Sequence, residues 1–191
     1  MLRTVRDCCE PYAKTLAYSS QDQIEDLVES INSETDDGTA FFERTFITKG
    51  MADVFRMGLK RLAGQHDDGQ FVLSQAMGGG KTHLLIATAL LAKNAELRHR
   101  VLIEAGIGQI ADFGSARIAA ISGRQRYEHF IWGEIASQIG RTEQIRPFWE
   151  NGPRAPGEND WARIIGRQPT LILLDELAPY LDNAVTVSVG D

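Results

Sequence analysis

The sequence predicts an α/β fold, a parallel sheet flanked by helices and preceded by a helical N-terminal segment. Three observations predict it. Apolar runs of strand length alternate with helical patterns after about residue 70. Three glycines, Gly78, Gly79 and Gly80, stand between one such run and a helix. A later apolar run, "TLILLDE" at 170–176, ends in two carboxylates. Strands that alternate with helices pair in parallel and are covered on both faces.

Composition sets the outer limits. The 191 residues are enough for one ordinary domain, and 43% of them are hydrophobic, enough to bury a core. Charged residues make up 24%, which excludes wholesale disorder. The net charge of −6 argues against nucleic-acid binding over the whole surface and leaves a local basic face open. No apolar run spans a bilayer, and "MLRTVRDCCEPYAK" has no apolar signal core. A cytoplasmic chain without a membrane partner is therefore expected. Cys8 and Cys9 are adjacent, so they read as reduced thiols, and no further Cys completes a zinc set.

The elements follow in order. In "SSQDQIEDLVESI", Ile24, Leu27, Val28 and Ile31 recur at helical spacing, and Ser20 with Gln23 fits a capping box. The polar "NSETDDGT" ends that pattern, and residues 46–48 read as extended. Met51, Val54, Phe55, Gly58, Leu59 and Leu62 mark one face of a second helix, which Gly64 stops. Residues 1–69 thus form a helical leader, and residues 70–191 form the sheet-bearing core. "FVLSQ" at 71–75 reads as a strand, and "KTHLLIATALLAKN" at 81–94 as a helix. Residues 101–103 fit either a strand or a helix end. "ARIAAIS" at 116–122 is a buried strand and "YEHFIWGEIASQIG" a helix ending at Gly140. "RPFWENGPRAPGEND" is loop, and "TLILLDE" is a fully apolar strand that runs into two carboxylates.

The glycine stretch carries the chemistry. Glycines let a backbone curl around phosphate oxygens without Cβ clashes, and the curled N–H groups make an anion nest at a helix N-terminus. In the pattern G-x-x-x-x-G-K-[ST] the Lys reaches the β- and γ-phosphates and the hydroxyl ligates Mg²⁺. Here Gly80, Lys81 and Thr82 fill the last three positions, while Gln75 stands where the first glycine belongs. The expected nucleotide-binding loop is Gln75, Ala76, Met77, Gly78, Gly79, Gly80, Lys81, Thr82 and His83. The second half is "LILLDE" at 171–176. Asp175 at the strand tip suits Mg²⁺, shared with Thr82, and Glu176 suits the role of base for an attacking water. Both halves, in this order and on these elements, point to a P-loop site for ATP and Mg²⁺.

Four stretches carry a family resemblance: "SQAMGGGKTH", "ARIAAISGR", "IWGEIASQIG" and "PTLILLDELAPYL". With "FFERTFITKGM" and "GLKRLAG" in the leader, they resemble a prokaryotic family of large AAA-type ATPases. That family is catalogued as a domain of unknown function, family 499. Its members are often encoded beside DNA methyltransferases in anti-phage defence loci. The resemblance implies Lys81 and Thr82 as the phosphate and Mg²⁺ residues, and Asp175 and Glu176 as the metal and water residues. It also implies self-association or contact with other defence-locus proteins. AAA-type relatives place a sensor, an arginine finger and a helical lid after the Asp-Glu strand. This chain ends in "LAPYLDNAVTVSVGD". It therefore reads as an N-terminal fragment with the sheet incomplete at its C-terminus and an exposed edge.

Other residues have ordinary structural roles open to them. His83 either touches a ligand or faces loop and solvent. His66, His99 and His129 are scattered and form no ligand set. Arg117, Arg124 and Arg126 read as a modest basic cluster on a solvated face, open to phosphates, nucleic acid or a neighbour. Trp132, Phe148, Trp149 and Trp161 read as core or interface. Three functions compete: an AAA-type ATPase module, a helicase-type nucleic-acid-dependent ATPase, and a nucleotide-binding fragment without turnover. "DELA" resembles a helicase box, but "ARIAAISGR" does not look like the strand-contacting motif expected between such boxes.

Overall fold

A computed structural model describes residues 27–32, 37–74, 78–150 and 154–184. The elements are α1 (Leu27–Asn32), α2 (Thr39–Glu43), α3 (Lys49–Leu62), α4 (Lys81–Lys93), α5 (Ala95–Glu104), β1 (Arg117–Ser122), α6 (Phe130–Gln138), α7 (Thr142–Ile145), α8 (Pro147–Glu150), α9 (Glu158–Ile165), β2 (Thr170–Asp175) and α10 (Leu177–Ala184). The fold is α/β. Its sheet, among the described residues, has two parallel strands, with Ala120 opposite Leu173 and Ser122 opposite Asp175.

Alternation along the strands sends side chains into two cores. Ala120 and Leu173 join the larger one, with Leu27, Phe41, Phe55, Leu59, Leu91 and Val101. Ala119 and Ile121 join the smaller one, with Ile135, Ile145 and Ile164. Helices therefore cover both faces of the sheet. The larger core joins leader residues to residues beyond 70 in one cluster.

α4 is the axis of that core. Eight of its residues, from Leu84 to Ala92, are buried, so it is apolar nearly all round, as a helix inside a core must be. α3 shows the expected face: Phe55, Gly58 and Leu59 are buried. Its N-terminus is capped by Thr48, whose hydroxyl accepts from Met51 N–H at 3.3 Å. Gly64 follows its end at φ 69°, the left-handed conformation that glycine allows. α1 covers only part of the first expected helix; Ser20, Gln23 and Ile24 lie outside the described residues, as do Cys8 and Cys9.

Several expectations need correction. Residues 71–74 form no strand: Val72 is 81% exposed, and the two strands among the described residues pair with each other. A strand without a ladder partner has no reason to hold its shape. Residues 45–48 are irregular; Thr48 is extended only as a helix cap. Residues 101–103, open between a strand and a helix end, are the helix end: they close α5, where Val101 and Leu102 are buried. The expected loop at 146–160 contains α8 and the start of α9.

Candidate functional site

The two stretches expected to carry the chemistry meet at the C-terminal end of the sheet. Gly80 precedes α4 at φ 75°, and Gly78 lies at φ 77°. A Cβ at either position would meet nothing within 4 Å, so these glycines are required by backbone conformation and not by space. They bend the chain so that Lys81 and Thr82 open the helix. The first bond inside α4 runs from Leu84 N–H to Gly80 O at 2.9 Å. The N–H groups before it have no acceptor within the helix. Gln75, Ala76 and Met77 lie outside the described residues.

β2 delivers Asp175 to the same place. Its carboxylate is buried, and Thr82 Oγ1 donates to Asp175 Oδ2 at 2.6 Å. This bond joins residues 93 apart in sequence. A buried carboxylate left unpaired would be costly, so the hydroxyl stabilises it directly.

Glu176 is held differently. It is one of two described non-glycine residues with positive φ, at 50°. Arg124 Nη2 donates to Glu176 Oε1 at 2.6 Å, and Arg124 Nε pairs with Oε2, so both carboxylate oxygens are engaged. The turn between β1 and α6 makes this contact possible. Gly123 N–H donates to Asp175 O at 2.8 Å. A Cβ on Gly123 would lie 2.0 Å from Glu176 O, so only glycine fits. Tyr127 folds the rest of the turn back: its hydroxyl donates to Ser122 O at 2.9 Å and accepts from Ser122 N–H at 3.0 Å.

The basic cluster read from sequence comes apart. Arg117 opens β1, while Arg124 lies past its other end. Five strand steps alone separate Arg117 from Ser122, about 16 Å. Arg117 serves the opposite end of the sheet. It donates to Ile165 O at the end of α9 and to Thr170 Oγ1 at 2.9 Å, and reaches within 3.5 Å of Ile139 O. Burial lowers its pKa, and the nearby Arg141 charge adds to the effect.

His83 faces the leader. Its ring stacks on Phe41 at 4.4 Å, and its Nε2 lies 3.0 Å from Thr45 Oγ1. His129 stacks on Trp149 at 4.4 Å. Trp132, Phe148, Trp149 and Trp161 pack, partly buried, against the smaller core. Sequence reasoning passed over Arg98, which is only 4% exposed. It donates to Leu91 O at 3.0 Å, Asp112 Oδ1 at 2.8 Å and Gly114 O at 2.9 Å, and lies over the Phe113 ring. Burial pulls its pKa down, against the opposing pull of Asp112. The Gly114 N–H and then Arg98 hold the Asp112 carboxyl below its ordinary value. Arg98 thereby fixes the loop that feeds β1. A charged residue at helical spacing among apolar neighbours, "LRHRVL", was its one available signal.

A family description, the DUF499 N-terminal domain, matches residues 12–122. The chain belongs to that family. The matched stretch includes Lys81, Thr82 and β1, and ends before Asp175 and Glu176. No curated protein and no solved structure was found to match the chain. Among the described residues, no helix is long and apolar enough to cross a membrane.

Proposed function

We propose that this DUF499 chain carries a P-loop nucleotide site for Mg-ATP, and that it is the ATP-binding module of an AAA-type ATPase. One observation carries the reading: the 2.6 Å bond from Thr82, at the mouth of the glycine turn, to Asp175, at the tip of an apolar strand. A hydroxyl and a carboxylate brought to touching distance are hard oxygen donors of the kind that Mg²⁺ takes. The residues present therefore fit that ion. Bound there, it would neutralise charge on the β- and γ-phosphates.

Each residue then has a task. Gly78 and Gly80 shape the turn so that N–H groups converge on phosphate oxygens. Lys81 brings a cation to the β- and γ-phosphates. Thr82 and Asp175 hold the metal, directly or through water. Glu176 orients or deprotonates the attacking water. Gln75, in place of the first motif glycine, lies outside the described residues.

The deciding experiment is calorimetry of Mg-ATP against this chain and Lys81→Ala. Binding that weakens by more than about tenfold in the variant is the expected result, the loss of one charge-assisted contact being worth that much. A folded wild type that takes up no Mg-ATP would remove the reading. A second reading, nucleotide binding without turnover, is favoured by the pairing of both Glu176 oxygens with Arg124. Arg124 takes one lone pair of each oxygen and keeps the carboxylate turned toward itself rather than toward a water. Phosphate release by the purified chain would reject it.

A further inference from the structure

We propose that His83 is a positioning residue that ties the leader to the mouth of the glycine turn, so that leader docking and nucleotide binding form one coupled equilibrium. This rests on the nucleotide reading above.

The leader lies along α4 from its last turn to its first. At the far end, Asn94 Nδ2 donates to Asp37 O at 3.2 Å, and Arg100 donates to Thr39 Oγ1 at 2.9 Å. Gly38, at φ 87°, is so close there that a Cβ would lie 2.7 Å from Leu97 Cδ2. At the near end, Phe41 stacks on His83 at 4.4 Å with the rings 23° apart, and Thr45 contacts Nε2 at 3.0 Å. Residues 37–45 thus run antiparallel to α4 and reach the residue directly after Thr82.

The proton count at Thr45 fixes the direction of that contact. A hydroxyl has one proton. Thr45 Oγ1 gives it to Phe41 O at 2.8 Å. Thr45 must therefore accept from His83, and Nε2 carries the hydrogen. The ring is held in one tautomer, between an aromatic face and a hydroxyl that the same short segment supplies. His83 and Thr82 are consecutive in the first helical turn, so a shift of the leader moves the hydroxyl that meets Asp175 at 2.6 Å. Coupling is reciprocal: whatever the leader does to ligand affinity, the ligand does to leader docking.

The test uses the full chain. Mg-ATP affinity is measured by calorimetry for the wild type, Thr45→Val, Phe41→Leu and Lys81→Ala. Ring-nitrogen NMR reports the His83 tautomer, and hydrogen exchange reports residues 39–45. Thr45→Val keeps the shape of the side chain and is the variant that folds if Phe41→Leu, in the core, does not. The expected result is an affinity loss in Thr45→Val of about 5- to 30-fold. With it come an Nε2–H signal in the wild type that the variant loses, and slower exchange at 39–45 when Mg-ATP is added. Lys81→Ala should abolish that slowing. Binding that Lys81→Ala abolishes but Thr45→Val leaves unchanged overturns the coupling alone. No binding by the wild type overturns the nucleotide reading and the coupling together.

Discussion

The two ends of the sheet treat charge in opposite ways. At the N-terminal end, Arg117 is held mainly by main-chain oxygen, with Ile165 O accepting and Ile139 O nearby, while its buried Nε meets no acceptor among the described residues. Those carbonyls close α9 and α6, where helix dipoles leave partial negative charge. At the C-terminal end, side chains meet side chains: Thr82 with Asp175, and Arg124 with Glu176. A main-chain carbonyl cannot leave its place unless the helix end unwinds. A side chain can rotate away and accept another partner. One end is therefore suited to holding the layers together, and the other to exchanging partners. Ligands of open α/β sheets bind at the carboxyl ends of strands, which agrees with this division.

The largest expected effect breaks the exchanging end itself. Gly123→Ala places a Cβ 2.0 Å from Glu176 O, backbone against backbone. Neither side can yield by rotating a side chain, so the ends of β1 and β2 must part. The loss in unfolding free energy should be about 3 kcal/mol or more by urea denaturation. A smaller loss would mean that even the main chain at this end moves freely.

Arg117→Met tests the holding end. Methionine keeps much of the apolar stem but removes the donors to Ile165 O and Thr170 Oγ1. Charged hydrogen bonds of this kind contribute about 1.5–3 kcal/mol, and the unfolding midpoint should fall accordingly. The effect should change little in salt, because the partners are dipoles packed at close range. A strong salt dependence would move Arg117 into the same class as the exchanging pairs.

The sequence made some of this division legible. Periodicity found α3, α4, α6 and both strands, because each buries a regular apolar stripe or run. "GGGKT" and "LLDE" could be placed together because strand-loop-helix and strand-acid patterns share one end of a parallel sheet. The residues that had no local signal were those whose partners are distant. Gly123 looks like an ordinary turn glycine until Glu176 is placed against it. Arg117, Arg124 and Arg126 look like one cluster until β1 stretches between the first and the others. "FVLSQ" has strand composition, but a strand is a property of two segments, and no ladder partner meets residues 71–74. His83 is two residues from Lys81, and nothing local says that it faces the leader.

The smallest effect sharpens the comparison most. Arg124 is largely exposed and Glu176 is partly so, and water screens the pair at once when it opens. Surface ion pairs contribute about 0–1 kcal/mol, so Arg124→Ala should shift the urea midpoint only slightly. That small difference should shrink as salt rises, since the Debye length falls from about 8 Å at physiological ionic strength to about 3 Å at 1 M. Arg117→Met and Arg124→Ala each remove one guanidinium, from opposite ends of β1. If their costs were equal, the contrast between main-chain and side-chain partners would fail. If Arg124→Ala is nearly silent, the pair that holds Glu176 is weak enough to open and exchange partners, while the clasp made by Gly123 and Asp175 keeps the strand ends in register.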